Sequence, residues 1–338
     1  MLILSNCLTD RPDEGSLVVA NRLAEAVRRL QPEATVVSWE RKSSLTDRFL
    51  KLNKLLLSRK LQKLLRQERG GVLYLPFPTR PLPMAVRVFL LSRMASGQVA
   101  AVLSMAGHPG LVSRWLLKAS GAAVAVLSRS AWEEYGEFLG EERVIYLKTG
   151  VDPEVFHPVS PQRQQELKRS YGLDPAKKVL LHVGHLKEGR NIRALLQVEP
   201  EIQVLLAVSP FTKGEWDGQL RKDLLDRGNI RILDEYVPRI QELYQLADAY
   251  FFPVTAENNC IDVPLSCLEA AACGKRVVTT AYGEMEAFRG KAGFLILDDQ
   301  WNRWQDAVHL AMNRPGDRNS VLDYDWAIAA RILRELLQ

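Results

Sequence analysis

A carboxylate one turn inside a short helix is the first group in the sequence whose surroundings suggest chemistry. An apolar run at 249–254 is followed by a polar loop, a helix of small residues that ends at Gly274, and a second apolar run at 277–280. This order predicts a parallel crossover, which places the loop at the carboxyl edge of a sheet, where ligands bind. The helix N-terminus attracts anions. Glu269 can therefore accept hydrogen bonds from vicinal hydroxyls such as those of a ribose. The alternative is an ordinary first-turn acid that the helix dipole favours.

A group of cations forms the second candidate site. The apolar run 178–183 ends at Gly184, and His185, Lys187 and Arg190 follow it across a turn that we expect to lead into a helix. Arg190 can bind phosphate through two parallel hydrogen bonds. His185 carries a full charge only at lower pH, unless a bound phosphate raises its pKa. The residue types and their order are those of an anion site at the end of a strand.

Two positions in the first half of the chain are further candidates. Gly15 and Ser16 lie between the first predicted strand and the first predicted helix, where a turn glycine with Ser16 as helix N-cap is one interpretation. His108 follows the predicted strand 99–103, at the edge where such folds gather ligands. A lone loop histidine is also commonly a local hydrogen-bonding residue, and both interpretations stay open.

The composition is that of an ordinary globular protein. The 338 residues are 47% hydrophobic and 25% charged, which leaves room for two domains. The four cysteines lack metal or disulfide spacing, so we expect them to be reduced and buried, as in a cytosolic protein. The N-terminus does not resemble a signal peptide. The sequence has no run of 18 apolar residues, so we predict no membrane span.

The positive charge is concentrated in one segment. The net charge is +5, yet residues 41–69 contain ten basic and two acidic residues, a local charge of +8. The leucines of this basic segment predict an amphipathic helix from Leu45 to Leu64 with a cationic outer side. Two interpretations are open: a solvated helix face, or docking on anionic lipid, where each basic residue contributes about 1 kcal/mol. Nucleic acid is not expected as a partner, because aromatic residues do not interleave with the cations. The candidate membrane or acceptor patch consists of Arg48, Lys51, Lys54, Arg59, Lys60 and Lys63.

The elements that must position these residues alternate along the chain. Apolar runs separated by helical patterns predict an α/β fold with parallel sheets. A charged, glutamine-rich segment at 160–170 marks a domain boundary near Pro158. The predicted strands are 1–6, 34–38, 72–76, 99–103, 122–128, 178–184, 204–209, 229–238, 249–254 and 277–280.

Two segments carry a resemblance to a known family. The run LEAAACGKRVV at 268–278, followed by Gly283-Glu-x-Glu286, resembles the donor-site signature of retaining, nucleotide-sugar-dependent glycosyltransferases of the GT-B type, in particular the large fourth family. That signature reads E-x7-E, A-C-G-x-P-V and G-G-x-x-E. Its second glutamate matches Glu269; its first falls on Ile261, and Asp262 is the nearest acid. The segment 144–158 also resembles the family's interdomain hinge.

The resemblance implies two Rossmann-like domains that face each other across a central cleft. Residues 1–158 would form the acceptor domain, joined by a C-terminal helix at about 323–338 that crosses back to it. Residues 159–322 would form the nucleotide-sugar donor domain.

The resemblance also implies roles for the candidate residues. In the family an Arg and a Lys hold the donor pyrophosphate; His185 takes the place of the Arg and Arg190 that of the Lys. Asp262 and Glu284 or Glu286 would bind sugar hydroxyls. The implied catalytic residues are His108, Asp262 and Glu269. The implied donor-binding residues are Gly15, Ser16, Gly184, His185, Lys187, Arg190, Tyr236, Val237, Asp262, Leu265, Ser266, Glu269 and Glu284.

The predicted function is transfer of a hexose from a UDP- or GDP-sugar to an acceptor glycan or lipid, with retention, without a cofactor and without a metal ion. The predicted location is cytoplasmic, with peripheral contact at the inner face of the plasma membrane. Two alternatives remain. One is a sugar-nucleotide epimerase with two Rossmann-like domains. The other is a silent GT-B relative that only binds, because Ile261, His185 and the single Gly15 depart from the family pattern. A dehydrogenase is not expected, since no G-x-G-x-x-G motif follows a predicted strand.

Overall fold

The computed structural model describes residues 1–209, 217–256, 260–298 and 303–337. Contacts divide the chain into two compact units. The N-terminal unit contains Met1–Thr149, the short segment Cys260–Val263 and the chain from Trp326 onward; the C-terminal unit contains the rest. The main boundary thus follows Thr149, nine residues before the predicted one. The segment Cys260–Val263 was not predicted to join the first unit.

The N-terminal unit is built on a parallel sheet of seven strands in the order β3-β2-β1-β4-β5-β6-β7. The chain runs outward from β1 to β3 and then returns to place β4 on the other side of β1, so the direction of winding switches between β1 and β4. The central strands are apolar and fully buried, as expected for a sheet covered on both faces. The strands are β1 (Leu2–Ser5), β2 (Thr35–Ser38), β3 (Arg48–Phe49), β4 (Val72–Leu75), β5 (Val99–Leu103), β6 (Ala123–Val126) and β7 (Val144–Tyr146).

Helices connect these strands. Pro81 opens α3, where its missing N–H costs nothing, and the Ser128 hydroxyl caps α5 by accepting a hydrogen bond from the Ala131 N–H at 3.3 Å. Right-handed crossovers place the N-termini of such helices at the carboxyl edge of the sheet. The helices are α1 (Gly15–Leu30), α2 (Arg59–Gln67), α3 (Pro81–Met94), α4 (Leu111–Ser120) and α5 (Arg129–Leu139).

The predicted amphipathic helix from Leu45 to Leu64 is wrong in its first part, because local hydrogen bonds hold a different backbone. The Asp47 carboxylate accepts from the Val36 N–H at 2.8 Å and draws the chain into the short strand β3. The Asn53 side chain accepts from the N–H groups of Leu55 and Leu57, and Leu56 adopts a positive φ of 59°. Such side-chain bonds compete with helix formation. The helix begins only at Arg59.

The C-terminal unit is built on a parallel sheet of six strands in the order β10-β9-β8-β11-β12-β13. Here the winding switches between β8 and β11, which are hydrogen-bonded neighbours. The strands are β8 (Val179–Gly184), β9 (Gln203–Val208), β10 (Ile230–Leu233), β11 (Ala249–Phe252), β12 (Arg276–Thr280) and β13 (Phe294–Leu297).

Most helices of this unit are shorter than those of the first. The helix predicted after Arg190 is wrong: two 3-10 turns, Glu188–Arg190 and Ile192–Gln197, lie on either side of Asn191, whose positive φ of 54° interrupts helical geometry. Two further 3-10 turns span Gly283–Phe288 and Arg318–Tyr324. The helices are α6 (Pro161–Ser170), α7 (Gly218–Leu225), α8 (Gln241–Leu246), α9 (Leu265–Ala272) and α10 (Trp304–Met312).

The last helix, α11 (Trp326–Leu336), belongs to the N-terminal unit and packs against α1. The predicted return of the C-terminal helix to the first domain and the α/β class with two Rossmann-like domains are therefore confirmed. Within the described ranges, no helix combines the length and the apolar character that a membrane span requires.

Candidate functional site

The carboxyl edge of the second sheet gathers most of the predicted donor residues. Gly184 ends β8, and the segment 185–190 continues from it; β11 ends at Phe252 and leads to α9. Because β8 and β11 flank the switch in winding, the segments that leave them depart in opposite directions and open a crevice between them. We call Gly184, His185, Lys187, Arg190 and Glu269 the switch-point site.

Arg190 is the central residue of this site. Its side chain is only 5% exposed, and its buried Nε has no hydrogen-bond partner in the part of the chain that the structure describes. Among the described residues, no carboxylate forms an ion pair with its guanidinium. A buried charge is costly unless it is paired. The arrangement is therefore one that an anionic ligand would complete.

His185 and Lys187 lie on the same segment. His185 is buried and Lys187 is partly buried, and the Lys187 carbonyl accepts a hydrogen bond from the Arg190 N–H at 3.1 Å. The electrostatic effect of these cations is visible on a neighbour, His182. The pKa of His182 is lowered to about 4, chiefly by burial and also by the charges of Arg190 and His185, although the hydrogen bond to the Phe251 carbonyl raises it.

His182 was not predicted as a site residue. Its ring lies within β8 and is fully buried, and its Nε2 has no hydrogen-bond partner in the described structure. The available signal was a polar residue inside an otherwise apolar strand, LLHVG, two positions before Gly184. A polar side chain in a buried strand is expected to have a hydrogen-bond partner or a function, whereas apolar residues are common in such a strand.

Helix α9 supplies the other side of the crevice. It begins at Leu265 after Pro264 and has no side-chain cap at its N-terminus, so its first N–H groups are not satisfied by a capping side chain. Glu269 is partly buried, one turn inside this helix. It lies beside Tyr244, whose pKa is raised well above its usual value by burial and further by the Glu269 charge. Ser266 lies beside Tyr250 in the same layer.

Asp262 is placed in the N-terminal unit, whereas Glu269 belongs to the C-terminal unit. Its carboxylate accepts a hydrogen bond from the Ala106 N–H, and its own N–H donates to the Ser104 carbonyl, both at 3.0 Å. Burial raises the pKa of Asp262 to about 6, although the bond from Ala106 and the nearby His108 lower it. Asp262 therefore anchors the loop that follows β5.

His108 lies on that loop, at the carboxyl edge of the first sheet. Its side chain is 83% exposed, and its Nδ1 lies 2.8 Å from a carboxylate oxygen of Glu134 on α5. Arg114 contacts the other oxygen of Glu134 at 3.2 Å. His108 is thus accessible and oriented, as a residue that contacts a ligand must be.

Gly15 and Ser16 do not form the N-cap that was one interpretation. Helix α1 begins at Gly15, its N-cap residue is Glu14, and no side chain caps it. A Cβ on Gly15 would lie 3.0 Å from the Cδ1 of Ile261, which is buried. Ile261, the residue at the place of the family's first glutamate, therefore packs on the only glycine that this chain keeps from the family's pair.

The remaining predicted donor residues lie at the carboxyl edge of the second sheet. Tyr236 and Val237 are partly buried and follow β10, two strands away from β8. Leu265 is buried. Glu284 is almost fully buried and accepts a hydrogen bond from the Tyr324 hydroxyl at 3.0 Å, whereas Glu286 is exposed and pairs with Arg289.

The six cations of the predicted patch are all exposed, but they do not lie on one helix. Arg48 is on β3, Lys51 and Lys54 are in the loop after it, and Arg59, Lys60 and Lys63 are on α2. The Arg87 side chain of α3 donates to the Lys54 carbonyl at 3.0 Å and fixes this loop on the helical layer. Exposed apolar side chains lie between the cations: Phe49, Leu55 and Leu57.

Residues 177–313 match the family model described as glycosyl transferases group 1. This segment resembles a glycosyl transferases group 1 domain. It begins immediately before β8 and ends after α10, so it includes the whole switch-point site. The D-inositol 3-phosphate glycosyltransferase of Corynebacterium urealyticum is 27% identical over 205 residues, 56% of this chain and 47% of that protein. The chain thus spans about half the length of this curated relative.

Solved structures extend the likeness to the whole chain. The Anabaena protein HepE, solved in complex with UDP and glucose, superposes with a TM-score of 0.76 at 14% identity over 99% of this chain and 98% of its own. WaaG, a glycosyltransferase involved in lipopolysaccharide biosynthesis, gives a TM-score of 0.62 at 16% identity over 99% and 95%. At such identities the likeness shows the fold. The predicted GT-B fold and the resemblance to glycosyltransferases are confirmed, and the named relatives support a transferase.

Proposed function

We propose that this protein is a glycosyltransferase that transfers a hexose from a UDP- or GDP-sugar to an acceptor. The observation that carries the proposal is Arg190, which is buried at the switch point of the segment that matches glycosyl transferases group 1 and has no ion-pair partner among the described residues. Support comes from HepE, which shares the fold and was solved with UDP and glucose. A diphosphate is the anion that such a site would take.

In the proposed reaction these residues act through their electric charge. When the bond between C1 of the sugar and the diphosphate oxygen breaks, negative charge grows on the leaving diphosphate. Fixed cations and a helix N-terminus stabilise such charge without reorganisation. Arg190, Lys187 and His185 face it from one side, and the N-terminus of α9 from the other. In this proposal they replace a metal ion, and Glu269 binds the ribose hydroxyls.

The N-terminal unit would supply the groups that contact the sugar. His108 is exposed at the carboxyl edge of its sheet, and Glu134 orients its ring. Asp262 holds the backbone of the same loop at Ala106 and so positions His108. Retention of configuration is part of the proposal through the family resemblance alone.

Arg190→Met tests the donor site, with Arg193→Met as the matched control. Arg193 lies three residues further on, is exposed, and pairs with Asp223 at 3.3 Å. We expect the wild type to bind UDP or GDP in isothermal titration and to hydrolyse one of their sugars slowly. Arg190→Met should weaken nucleotide binding at least about tenfold, the loss of one charge-assisted contact, and Arg193→Met should not. A wild type that binds neither nucleotide would refute the proposal.

We further propose that the acceptor is a lipid or a lipid-linked glycan at an anionic membrane surface, reached from the inner face of the plasma membrane. Exposed apolar side chains among exposed cations match the chemistry of such a surface. The apolar side chains can insert into the membrane interface, and the cations attract the anionic headgroups. WaaG, which has the same fold, acts in lipopolysaccharide biosynthesis, and this supports a lipid-linked acceptor.

A second exposed apolar group strengthens this interpretation. On α4, Leu111 is 86% and Trp115 65% exposed, and Val112 is exposed between them. Trp115 stacks on Phe89 of α3, the helix that also holds the Lys54 loop through Arg87. Since crossovers place the N-termini of α2, α3 and α4 at one edge of the sheet, the cations and the apolar residues share that edge.

Liposome flotation separates this proposal from a merely solvated basic face. We expect the protein to float with vesicles that contain anionic lipid and not with vesicles of phosphatidylcholine alone. Lys54→Glu with Lys60→Glu should abolish flotation, whereas the charge-matched pair Lys177→Glu and Lys222→Glu, exposed in the C-terminal unit, should leave it intact. No flotation at low salt, or equal loss in both pairs, would overturn the membrane proposal and leave the donor proposal standing.

A further inference from the structure

His182 is a buried residue that the proposed mechanism does not use, and its surroundings define its hydrogen-bonding state. The ring stacks on Tyr250 and Phe252 of β11, with centroids 6.4 and 6.3 Å away and interplanar angles of 5° and 17°. Its Nδ1 lies 2.8 Å from the Phe251 carbonyl oxygen. A carbonyl only accepts, so Nδ1 carries the proton and Nε2 presents a lone pair. The low pKa of His182 keeps this neutral form across the physiological range.

The lone pair of Nε2 is buried and has no donor within the described structure. Buried polar atoms are nearly always hydrogen-bonded, so an orphan beside a ligand site marks a contact that forms in another state. Arg190, whose charge acts on His182, shows the complementary defect. Its buried Nε has no acceptor among the described residues.

Gly184 shows that these two side chains approach one another. A Cβ built on this glycine would lie 2.9 Å from the Nε2 of His182 and 3.1 Å from the Nη1 of Arg190. Because Gly184 has no side chain, the space next to the His182 Nε2 and the Arg190 Nη1 stays open. The geometry brings a neutral acceptor to a guanidinium that has donors to spare.

We propose that His182 is a positioning residue for Arg190: its Nε2 accepts a hydrogen bond from the guanidinium when Arg190 engages the donor diphosphate. The inference rests on the proposed function, because it assigns how the phosphate-binding arginine is held. A carboxylate in this place would orient the guanidinium but would also neutralise it. A neutral imidazole orients it and leaves the full positive charge for the ligand.

Three substitutions separate the two nitrogens of the ring. His182→Asn places a donor near Nδ1 but has no acceptor at Nε2; His182→Gln reaches the Nε2 position with its carbonyl oxygen; His182→Phe keeps the stacking and removes both. The readouts are the dissociation constants of UDP, GDP and the corresponding nucleosides, with thermal unfolding as the check on folding. The nucleosides lack the diphosphate and report the rest of the site.

We expect His182→Asn and His182→Phe to weaken binding of the diphosphate about tenfold, the loss of one hydrogen bond to a charged group, with nucleoside binding unchanged. His182→Gln should restore most of it. If the variants bind the diphosphate like the wild type, or lose nucleoside binding in parallel, the positioning role is refuted. A wild type that binds neither UDP nor GDP would instead refute the proposed function.

A measurement on the unaltered protein keeps the inference testable where the variants do not fold. Nitrogen-15 spectra of labelled histidine report the tautomer and the hydrogen bonding of each ring nitrogen. We expect the Nδ1-protonated form of His182 in the free protein, and an upfield shift of its Nε2 resonance on saturation with the diphosphate. An unmoved Nε2 resonance in the saturated protein would overturn the proposal.

Discussion

The two units share one architecture and differ in where their charges lie. In the C-terminal unit, Arg190 is buried at the switch between β8 and β11, and neither its Nε nor the Nε2 of His182 has a hydrogen-bond partner among the described residues. In the N-terminal unit, a hydrogen bond joins the loops that follow β1 and β4: the Phe77 N–H donates to the Asn6 side chain at 2.9 Å. The six cations of the candidate patch lie on the outer surface of this unit.

This difference shows that the parallel sheet provides an edge where ligands can bind, and that the side chains at this edge determine its function. A switch point with unsatisfied donors can take an anion into the interior. An exposed group of cations and apolar side chains is suited to contact with an anionic surface instead. The two kinds of anion in the proposal, a diphosphate and a lipid headgroup, correspond to these two solutions.

The largest expected effect is that of a single methyl group at the C-terminal switch point. Gly184→Ala would place a Cβ 2.9 Å from the His182 ring and 3.1 Å from Arg190, and the stacked ring has no room to move. We expect at least about a tenfold loss of UDP or GDP affinity in isothermal titration, because the phosphate-binding arginine is displaced. Gly218→Ala, at a glycine whose Cβ would meet nothing within 4 Å, is the control. Unchanged affinity would mean that the open space at Gly184 has no part in binding.

The next effect concerns Asp262 and depends on pH. Its pKa is raised from 3.8 to about 6 by burial, so between about pH 4 and 6 the folded protein holds a proton that the unfolded chain releases. Asp262 therefore makes the protein less stable as pH rises through this window. Asp262→Asn keeps an acceptor for the Ala106 N–H and removes the charge.

We expect Asp262→Asn to raise the free energy of unfolding at pH 7 by about 1–3 kcal/mol and to have little effect at pH 4. Urea unfolding of wild type and variant at both pH values measures the difference. A variant that is less stable than the wild type at pH 7 would contradict the prediction and would point to a stabilising role for the carboxylate charge.

Asp262 also shows how far the sequence leads. The positions of most strands along the chain and the cation turn at 184–190 follow from local pattern, because apolar periodicity and glycine positions act over short distances. The segment that leaves the C-terminal unit to contact Ser104 and Ala106 depends on a contact across 156 residues, which no local pattern contains. His182 was missed for a related reason, since its neighbours Tyr250 and Phe252 come from another strand.

The basic segment was predicted wrongly for a different reason, because local hydrogen bonds changed its backbone. Its leucines satisfy a helical period from Leu45 to Leu64, and that period predicted one helix. Three hydrogen bonds that the side chains of Asp47 and Asn53 accept from backbone N–H groups override it. The composition of the patch could be predicted from the sequence, but its shape could not.

A smaller effect is expected at the glycine of the N-terminal switch. Gly15→Ala would bring a Cβ to 3.0 Å from the Ile261 Cδ1, and mild overpacking of this kind costs about 1 kcal/mol. Ile261→Val removes that methyl group, so the double variant should recover part of the stability lost by Gly15→Ala. A double-mutant cycle by urea unfolding measures the coupling. Additive effects would show that Ile261 does not occupy the space which Gly15 leaves.

The smallest effect on stability should come from His108, although it is the residue expected to matter most to transfer in the N-terminal unit. Its ion pair with Glu134 is exposed, and exposed pairs contribute between zero and about 1 kcal/mol. His108→Ala should therefore unfold within about 0.5 kcal/mol of the wild type, while donor hydrolysis or transfer falls clearly. Glu134→Gln keeps the ring and loosens its orientation, so its activity should lie between the two. Full activity in His108→Ala would remove the N-terminal edge from the chemistry and leave it only the contact with the acceptor surface.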